Sequence, residues 1–207
     1  MKTFVTSDHH FGHRNIIKYE DRPLDHERIM VERWNEVVGE DDVVLHLGDF
    51  ALSSKAVASG LMSVLKGSKY LQRGNHDPKS TQRNLDVGFL EVYTSPRVVL
   101  VGTQAVVLSH YPLQASEINE LNRKHHGGVI NICGHSHSNI PLFTKDHINV
   151  SVENTDYYPV DLVKIVQAYK RWEAQADVTL SSGNVFADLG LPNADKLLAE
   201  AEKTSRL

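Results

Sequence analysis

The sequence predicts a layered α/β domain, and two patterns along the chain carry that prediction. In the first third, short apolar runs alternate with stretches of helical periodicity, which is typical of helices packed on a parallel sheet. Further along, apolar runs follow one another more closely, which indicates a second, partly antiparallel set of strands. The 207 residues suffice for one sizeable core and a small appendage.

The individual elements follow from these patterns. Seven apolar runs are predicted as strands: 2–7, 42–47, 69–73, 97–101, 105–109, 129–133 and 147–152. Four stretches are predicted as helices: 25–38, 53–67, 114–125 and 161–175. The last helix is amphipathic and is expected to close a domain at residues 1–176. Residues 177–207 change character and are predicted to be a C-terminal tail, a candidate segment for docking a second copy or a protein partner.

Composition narrows the class of protein. The net charge of −4 argues against extended nucleic-acid binding, which needs a basic surface. The single cysteine, Cys133, excludes an intramolecular disulfide, so the cytoplasm is the simplest location. We expect no membrane association, because no segment approaches 18 apolar residues and the N-terminus lacks the apolar stretch of a signal peptide. The 12 histidines are the unusual feature.

Metal-ligand side chains follow five of the predicted strands. In α/β sheets, ligands bind at the carboxyl ends of strands, so these side chains are expected to converge. Three of the groups include a glycine, which allows a tight turn or close backbone approach. The seven donors are Asp8, His10, Asp49, Asn75, His110, His135 and His137.

Seven donors suit two metal ions better than one, because a single first-row ion is saturated by four to six. The mixture of imidazole, carboxylate and amide favours manganese, with iron, zinc or nickel as alternatives. Two ions about 3.5–4 Å apart can hold a phosphoryl group and generate hydroxide from water at neutral pH. We therefore expect two divalent cations as cofactors.

The ordered blocks DxH, GD, GNHD, H and GHxH resemble the calcineurin-like metallophosphoesterases, in particular a small single-domain bacterial and phage branch. The resemblance implies a four-layer α/β/β/α sandwich with a dimetal site. It assigns one ion to Asp8, His10, Asp49 and His137. It assigns the other to Asp49, Asn75, His110 and His135, with Asp49 bridging.

The same resemblance assigns the catalytic and substrate-binding residues. His76 would contact the phosphate, as would Asn75, and would protonate the leaving group, while Asp77 would orient His76 by accepting its second ring N–H. His13, near a predicted helix start, and Arg73, beside the GNHD block, are further candidates for substrate contact. His9 is expected to point away from the metals, and His46 to be a hydrogen-bonded core histidine.

The predicted function is dimetal-dependent hydrolysis of phosphoester bonds in small nucleotides or related metabolites, by a phosphodiesterase or phosphatase. Attack by a metal-bridging hydroxide would be assisted by His76. A metal-dependent nuclease is the alternative hypothesis, and a non-catalytic binding or regulatory module is the third. The sequence GDFALSS lacks the arginine of Ser/Thr protein phosphatases, so that activity is not expected. About 22 residues of the tail resemble the N-terminal lead of small helix-turn-helix antitoxins, without a recognition helix.

Overall fold

The structure is a computed structural model, and it describes residues 1–125, 128–176 and 192–197. Its strands are β1 (Thr3–Thr6), β2 (Val43–His46), β3 (Ser68–Gln72), β4 (Glu91–Tyr93), β5 (Arg97–Val101), β6 (Gln104–Leu108), β7 (Val129–Cys133), β8 (His147–Asn149) and β9 (Val160–Asp161). Its α-helices are α1 (Ile16–Tyr19), α2 (His26–Val37), α3 (Lys55–Val64), α4 (Thr81–Val87), α5 (Ala115–Lys124) and α6 (Leu162–Ala176).

The strands form two sheets. The first has the order β4-β3-β2-β1-β9, with β1 to β4 parallel and β9 antiparallel to β1. The second has the order β5-β6-β7-β8, with an antiparallel β5–β6 pair and parallel pairs beyond it. The parallel strands of each sheet present their carboxyl ends at one edge, and those edges carry the predicted ligands.

Two apolar layers flank the first sheet, and neighbouring residues of β1 show how they arise. Successive side chains of a strand point to opposite faces, so Phe4 enters one layer and Val5 the other. The layer beside Phe4 holds Met30 and Trp34 of α2. The layer beside Val5 holds the inner side chains of the second sheet together with one face of α6.

The helices begin and end where local chemistry directs. Ser54 caps α3 by accepting a hydrogen bond from the backbone of Val57, and Ser80 caps α4 in the same way from Arg83, as N-cap hydroxyls do. The indole of Trp34 is fully buried and donates to the carbonyl of Lys66 at 3.0 Å. This bond fastens α2 to the end of α3.

The predicted sandwich is confirmed, with helices on the outer face of the first sheet and α5 beside β7. All four predicted helices and all seven predicted strands exist, although the strand predicted at 147–152 ends at Asn149 and continues as a 3₁₀ turn at Val152–Thr155. The helix start predicted near His13 corresponds to α1, whereas the short elements α4, β4 and β9 were not predicted. None of the described helices is long and apolar enough to cross a membrane.

Only residues 192–197 of the tail are described. Leu197, at 7% exposure, belongs to the same apolar layer as Val5 and Ile165. This part of the tail therefore packs on the core of its own domain. The rest of the antitoxin-like stretch lies outside the described residues, as do His126 and Gly127 of the loop before β7.

Candidate metal centre

The loops after five strands converge, and their backbones are strained where they do so. Asp8 N–H donates to the Gly48 carbonyl and His10 N–H to the Asp49 carbonyl, each at 3.0 Å, so the loops after β1 and β2 run side by side. Nine described residues other than glycine have a positive φ. Five of the nine are predicted ligands: Asp8, His10, Asp49, His135 and His137. Such outliers cluster at functional sites, where surrounding contacts hold the strain.

The glycines of the motifs allow this convergence. A Cβ on Gly74 would collide with the Asp49 carboxylate, and one on Gly134 would collide with the Asp8 carboxylate. A Cβ on Gly48, which has φ 107°, would lie 2.5 Å from His110 Nδ1. Any side chain at these three positions would displace a predicted ligand.

The two central carboxylates each use one oxygen to fix a loop and leave the other facing the site. Asp8 Oδ2 accepts from His135 N–H and from the Ser151 hydroxyl, both at 2.9 Å, while its buried Oδ1 has no hydrogen-bond partner. Asp49 Oδ1 accepts the His76 backbone N–H at 2.8 Å. Its Oδ2 lies 3.5 Å from both His10 Nε2 and His110 Nε2.

These atoms form two adjoining groups. In the first, ligand atoms of Asp8, His10 and His137 lie within 4.8 Å of one another. In the second, the same holds for Asp8, Asp49 and His110, and Asn75 Oδ1 lies 2.9 Å from His110 Nε2. Asp49 thus lies between His10 of one group and His110 of the other.

His135 lies at the edge of this arrangement. Its ring centroid is 5.2 Å from that of His110, but its ring nitrogens belong to neither close group. Its backbone N–H, rather than its ring, contacts Asp8 and donates to Oδ2 of that carboxylate. Its assignment as a ligand stays a prediction.

The donor set fits divalent cations. Asp8 Oδ1 and both ring nitrogens of His10 are buried without hydrogen-bond partners, a costly state for polar atoms unless something binds them. Burial, together with His137, lowers the pKa of His10 to about 2. The imidazole is therefore neutral and its lone pair is available to a metal.

Two histidines are oriented through the ring nitrogen that faces away from the site. His110 Nδ1 lies 2.8 Å from the Leu47 carbonyl, which can only accept, so Nδ1 carries the proton and Nε2 faces Asp49. His137 Nδ1 lies 3.1 Å from Glu153 Oε2, and its Nε2 faces Asp8. Such partners are the usual support of metal-binding imidazoles.

Glu153 and Arg22 support the site from behind, and the sequence did not point to either. Arg22 is 3% exposed and donates to Glu153 and to the carbonyls of His9, at 2.6 Å, and Asp8, at 2.8 Å. Burial alone would raise the pKa of Glu153, but His137 and Arg22 hold it below its usual value. Burial would lower the pKa of His137, and the hydrogen bond to Glu153 raises it instead. Arg22 and Glu153 lie 131 residues apart, so no local motif could join them.

A third close group, Glu20, His137 and Glu153, reuses this support. His137 Nδ1 is occupied by Glu153, and Glu20 accepts from the Ser138 hydroxyl at 2.7 Å. We therefore count Glu20 among the residues that hold the loop rather than as a further ligand.

The role predicted for Asp77 needs correction. Its Oδ2 accepts from the backbone N–H groups of Asp49 and Gly74, and its Oδ1 accepts from that of Phe50. Both carboxylate oxygens are thus engaged with the backbone, and the ring of His76 is not their partner. Asp77, 5% exposed, ties the loops after β2 and β3 together instead of orienting His76.

The other candidates for substrate contact lie around the mouth of the site. His76 is exposed, with its ring centroid 5.2 Å from that of His10, and His13 is half-buried at 5.6 Å from the same ring. Both lie beside His10, and their contact with substrate stays a prediction. Arg73 donates to the Lys79 carbonyl at 2.6 Å, which gives it a place in the loop after β3. Its contact with substrate stays a prediction.

His9 and His46 behave as predicted. Both are fully buried, and His9 Nδ1 lies 2.9 Å from His46 Nε2. His9 also packs against Phe11 and Trp34. This pair belongs to the core beneath the site.

The chain is similar in sequence and in architecture to known proteins. A model of the calcineurin-like phosphoesterase superfamily domain matches residues 1–153. The chain is 33% identical to the uncharacterised protein MJ1445 of Methanocaldococcus jannaschii, over 82% of this chain and 92% of that protein. It is 32% identical to the Gene 66 protein of Mycobacterium phage L5, over 71% and 82%. A crystal structure of the protein of unknown function AQ665 from Aquifex aeolicus superposes with a TM-score of 0.66 at 26% identity, covering 80% of this chain and 98% of that one.

The fold and the two adjoining ligand groups define a metal-dependent phosphoesterase architecture. The chain belongs to the calcineurin-like phosphoesterase superfamily, because the family model spans most of its length, including every predicted ligand. Membership supports metal-dependent hydrolysis of phosphoester bonds, and the groups described above are candidates for holding the divalent cations.

Proposed function

We propose that the protein hydrolyses phosphoester bonds in small nucleotides or related metabolites, with two divalent cations held between Asp8, Asp49 and their flanking imidazoles. One observation carries this proposal: Asp8 and Asp49 each keep one carboxylate oxygen facing a shared space while the other oxygen is fixed by a backbone N–H. When bound, the two cations supply positive charge to the phosphoryl group and lower the pKa of water. Manganese is the expected metal, with iron, zinc or nickel as alternatives.

The side chains around the site have separate tasks. His76 lies on the loop that Asp49 Oδ1 holds, and its exposed ring can bind the phosphate and donate a proton to the leaving oxygen. Asn75 offers an amide beside His110, and His13 adds a second imidazole at the mouth. Asp77 keeps the two loops at a fixed separation, which sets where His76 stands relative to the carboxylates.

The alternatives are less well supported. Nucleases that act on long DNA or RNA need positive surface along the backbone, and the net charge is −4. A non-catalytic module has no need for strained ligand positions and unpartnered buried atoms, which destabilise the fold unless a cation binds.

The test is an activity screen of chelator-stripped protein reloaded with Mn²⁺ and, in parallel samples, with Fe²⁺, Zn²⁺ or Ni²⁺. The substrates are an aryl diester, an aryl monoester, cyclic nucleotides and single-stranded DNA, with Asp49→Asn as the inactive control. Turnover of a small ester that disappears in the control supports the proposal. Cleavage of long DNA in preference to every small ester would favour the nuclease. Absence of turnover with all four metals, despite stoichiometric binding, would favour the non-catalytic module.

A further inference from the structure

Two exposed aromatic rings flank the metal centre. Among the Phe, Tyr and Trp side chains that the structure describes, only Tyr19 and Tyr111 are mainly exposed, at 69% and 50%. Both lie beside imidazoles of the site. Exposed aromatic rings at a binding site can serve as surfaces on which planar groups stack, and the location of these two rings suggests that role.

Tyr111 belongs to the group around Asp49 and His110. It directly follows His110, and its ring centroid is 4.9 Å from that imidazole and 4.4 Å from that of His135. The Tyr111 carbonyl accepts from the Ser109 hydroxyl at 2.6 Å. The backbone that carries the ring is therefore fixed at the end of β6.

Tyr19 lies on the other side, at the end of α1. Its ring centroid is 6.2 Å from that of His13, and His13 is 5.6 Å from His10. Its backbone N–H bonds the Asn15 carbonyl at 3.2 Å, which holds it on the last turn of the helix. Tyr19 thus stands outside the group that contains His10.

A chain of neighbouring side chains joins the two tyrosines through the proposed phosphoryl site. His10 Nε2 and His110 Nε2 each lie 3.5 Å from Asp49 Oδ2. The contacts that lead from one tyrosine to the other therefore include Asp49. A phosphate bound there would have one aromatic face beyond each of the two imidazoles. This arrangement matches a phosphodiester that carries a planar group on both sides.

We propose that Tyr19 and Tyr111 are stacking surfaces for the two bases that flank an internucleotide phosphodiester. The substrate class is then dinucleotides and short single-stranded oligonucleotides. Stacking on aromatic rings tolerates every base because each has a π face, and the net charge of −4 disfavours longer polymers. This inference rests on the proposed function. Water adds across one P–O bond, so one product carries a terminal phosphomonoester and the other a free hydroxyl.

The first experiment measures kcat/KM for ApA and for two analogues in which one base is replaced by hydrogen. Removing either base should lower kcat/KM about tenfold, within the range for one base–aromatic stack. Tyr19→Ala and Tyr111→Ala should each lower kcat/KM on ApA about tenfold, whereas Tyr→Phe at either position should retain it. Leu100→Ala, 71% exposed and outside the site, is the matched control and should change nothing.

The decisive result is the pairing between rings and bases. Each Tyr→Ala loss should vanish on one analogue and persist on the other, since each ring serves one base. Losses of equal size on ApA and on both analogues would mean that the tyrosines only support the ligands, and would overturn the inference. Metal content is measured for every variant, because Tyr111 adjoins His110.

A binding experiment separates this inference from the proposed function. Its probe is a dinucleoside methylphosphonate with 2-aminopurine bases, whose uncharged linkage leaves stacking as the main attraction and whose fluorescence is quenched on stacking. Quenching by the wild-type protein, with a Kd raised about tenfold in Tyr111→Ala and unchanged in Leu100→Ala, supports stacking even if no ester is hydrolysed. Hydrolysis of aryl diesters without such quenching would reject the stacking surfaces and leave the proposed function standing.

Discussion

At the scale of single residues, the two oxygens of each central carboxylate have different roles in the metal centre. One oxygen of Asp8 and one of Asp49 accept backbone N–H groups, and the other oxygen of each faces the imidazoles. A fixed oxygen prevents the carboxylate from rotating, so the free oxygen keeps its position before any cation binds. This is preorganisation of a ligand by its own backbone contacts.

Asp49→Asn tests the central position of Asp49. The amide can still accept the His76 N–H, so the loop should survive, but it loses the negative charge that two cations would share. We expect metal content to fall and hydrolysis to drop more than about 100-fold, exceeding the usual effect of residues outside the ligand set. Elemental analysis measures the metal content, and a turnover assay measures the rate of hydrolysis. Two bound metals with near-normal turnover would contradict the bridging position.

His76→Ala separates proton donation from phosphate binding. A nitrophenolate leaves almost without help, whereas an alkoxide needs a proton, for which general acid catalysis is worth about 10²–10⁴-fold. The variant should keep its metals and lose much more rate on a ribose or alkyl ester than on a nitrophenyl ester. Equal losses on both esters would assign His76 to positioning of the phosphate alone.

At the scale of elements, the carboxyl ends of parallel strands explain why the site could be predicted. Each ligand follows a strand whose apolar run is visible in the sequence, and the spacing of the motifs places the side chains. The 3₁₀ turn at Val152–Thr155 carries Glu153, which no apolar pattern marks. Its role depends on Arg22, far away in the sequence, and on His137, and only the folded chain brings the three side chains together.

Asp77 shows a different limit of sequence reasoning. The GNHD block correctly placed Asp77 beside His76, but adjacency in sequence did not reveal which groups the carboxylate would contact. In the fold, three backbone N–H groups donate to it, so both of its oxygens already have partners. Backbone donors of this kind carry no residue-specific signal.

Glu153→Gln tests the support behind His137. The amide weakens the orientation of His137 and leaves Arg22 buried without an anionic partner. We expect metal affinity to fall about 10- to 100-fold and the free energy of unfolding to fall by about 3 kcal/mol, the lower end for breaking a buried pair. Metal titration and urea unfolding provide the measurements.

Glu36→Gln is the matched control for this experiment. Glu36 also accepts a side-chain hydrogen bond, from the Tyr158 hydroxyl at 3.0 Å, but it is exposed and remote from the ligands. It should leave metal affinity unchanged. Equal metal affinity in Glu153→Gln and the wild type would show that Glu153 serves only the fold.

At the scale of the whole molecule, the tail contributes one side chain, Leu197, to the apolar core. Leu197→Ala should lower the free energy of unfolding by about 2 kcal/mol, the low end for a buried Leu→Ala change, with turnover at 25 °C retained. Val163→Ala, at an exposed position, is the control and should have little effect. Unchanged stability in Leu197→Ala would return the tail to the status of an appendage.

Truncation after Ala176 tests the remaining proposal for the tail, a contact with a second copy or another protein. If the tail docks a partner, truncation should change the molecular mass measured by light scattering. An unchanged mass together with lower thermal stability would restrict the tail to its own domain.

The left-handed backbone at five ligand positions has a consequence for how such a site can be lost over evolutionary time. Glycine adopts a positive φ without the steric cost that other residues bear, so replacing His10 by Gly should give a more stable metal-free protein than replacing it by Ala. Thermal melts of the two variants compare these directly. At these positions, the residue that binds the metal therefore also destabilises the metal-free fold. A lineage released from the need for activity would gain stability by erasing the ligands first, and the scaffold would persist as a binding surface long after the chemistry had gone.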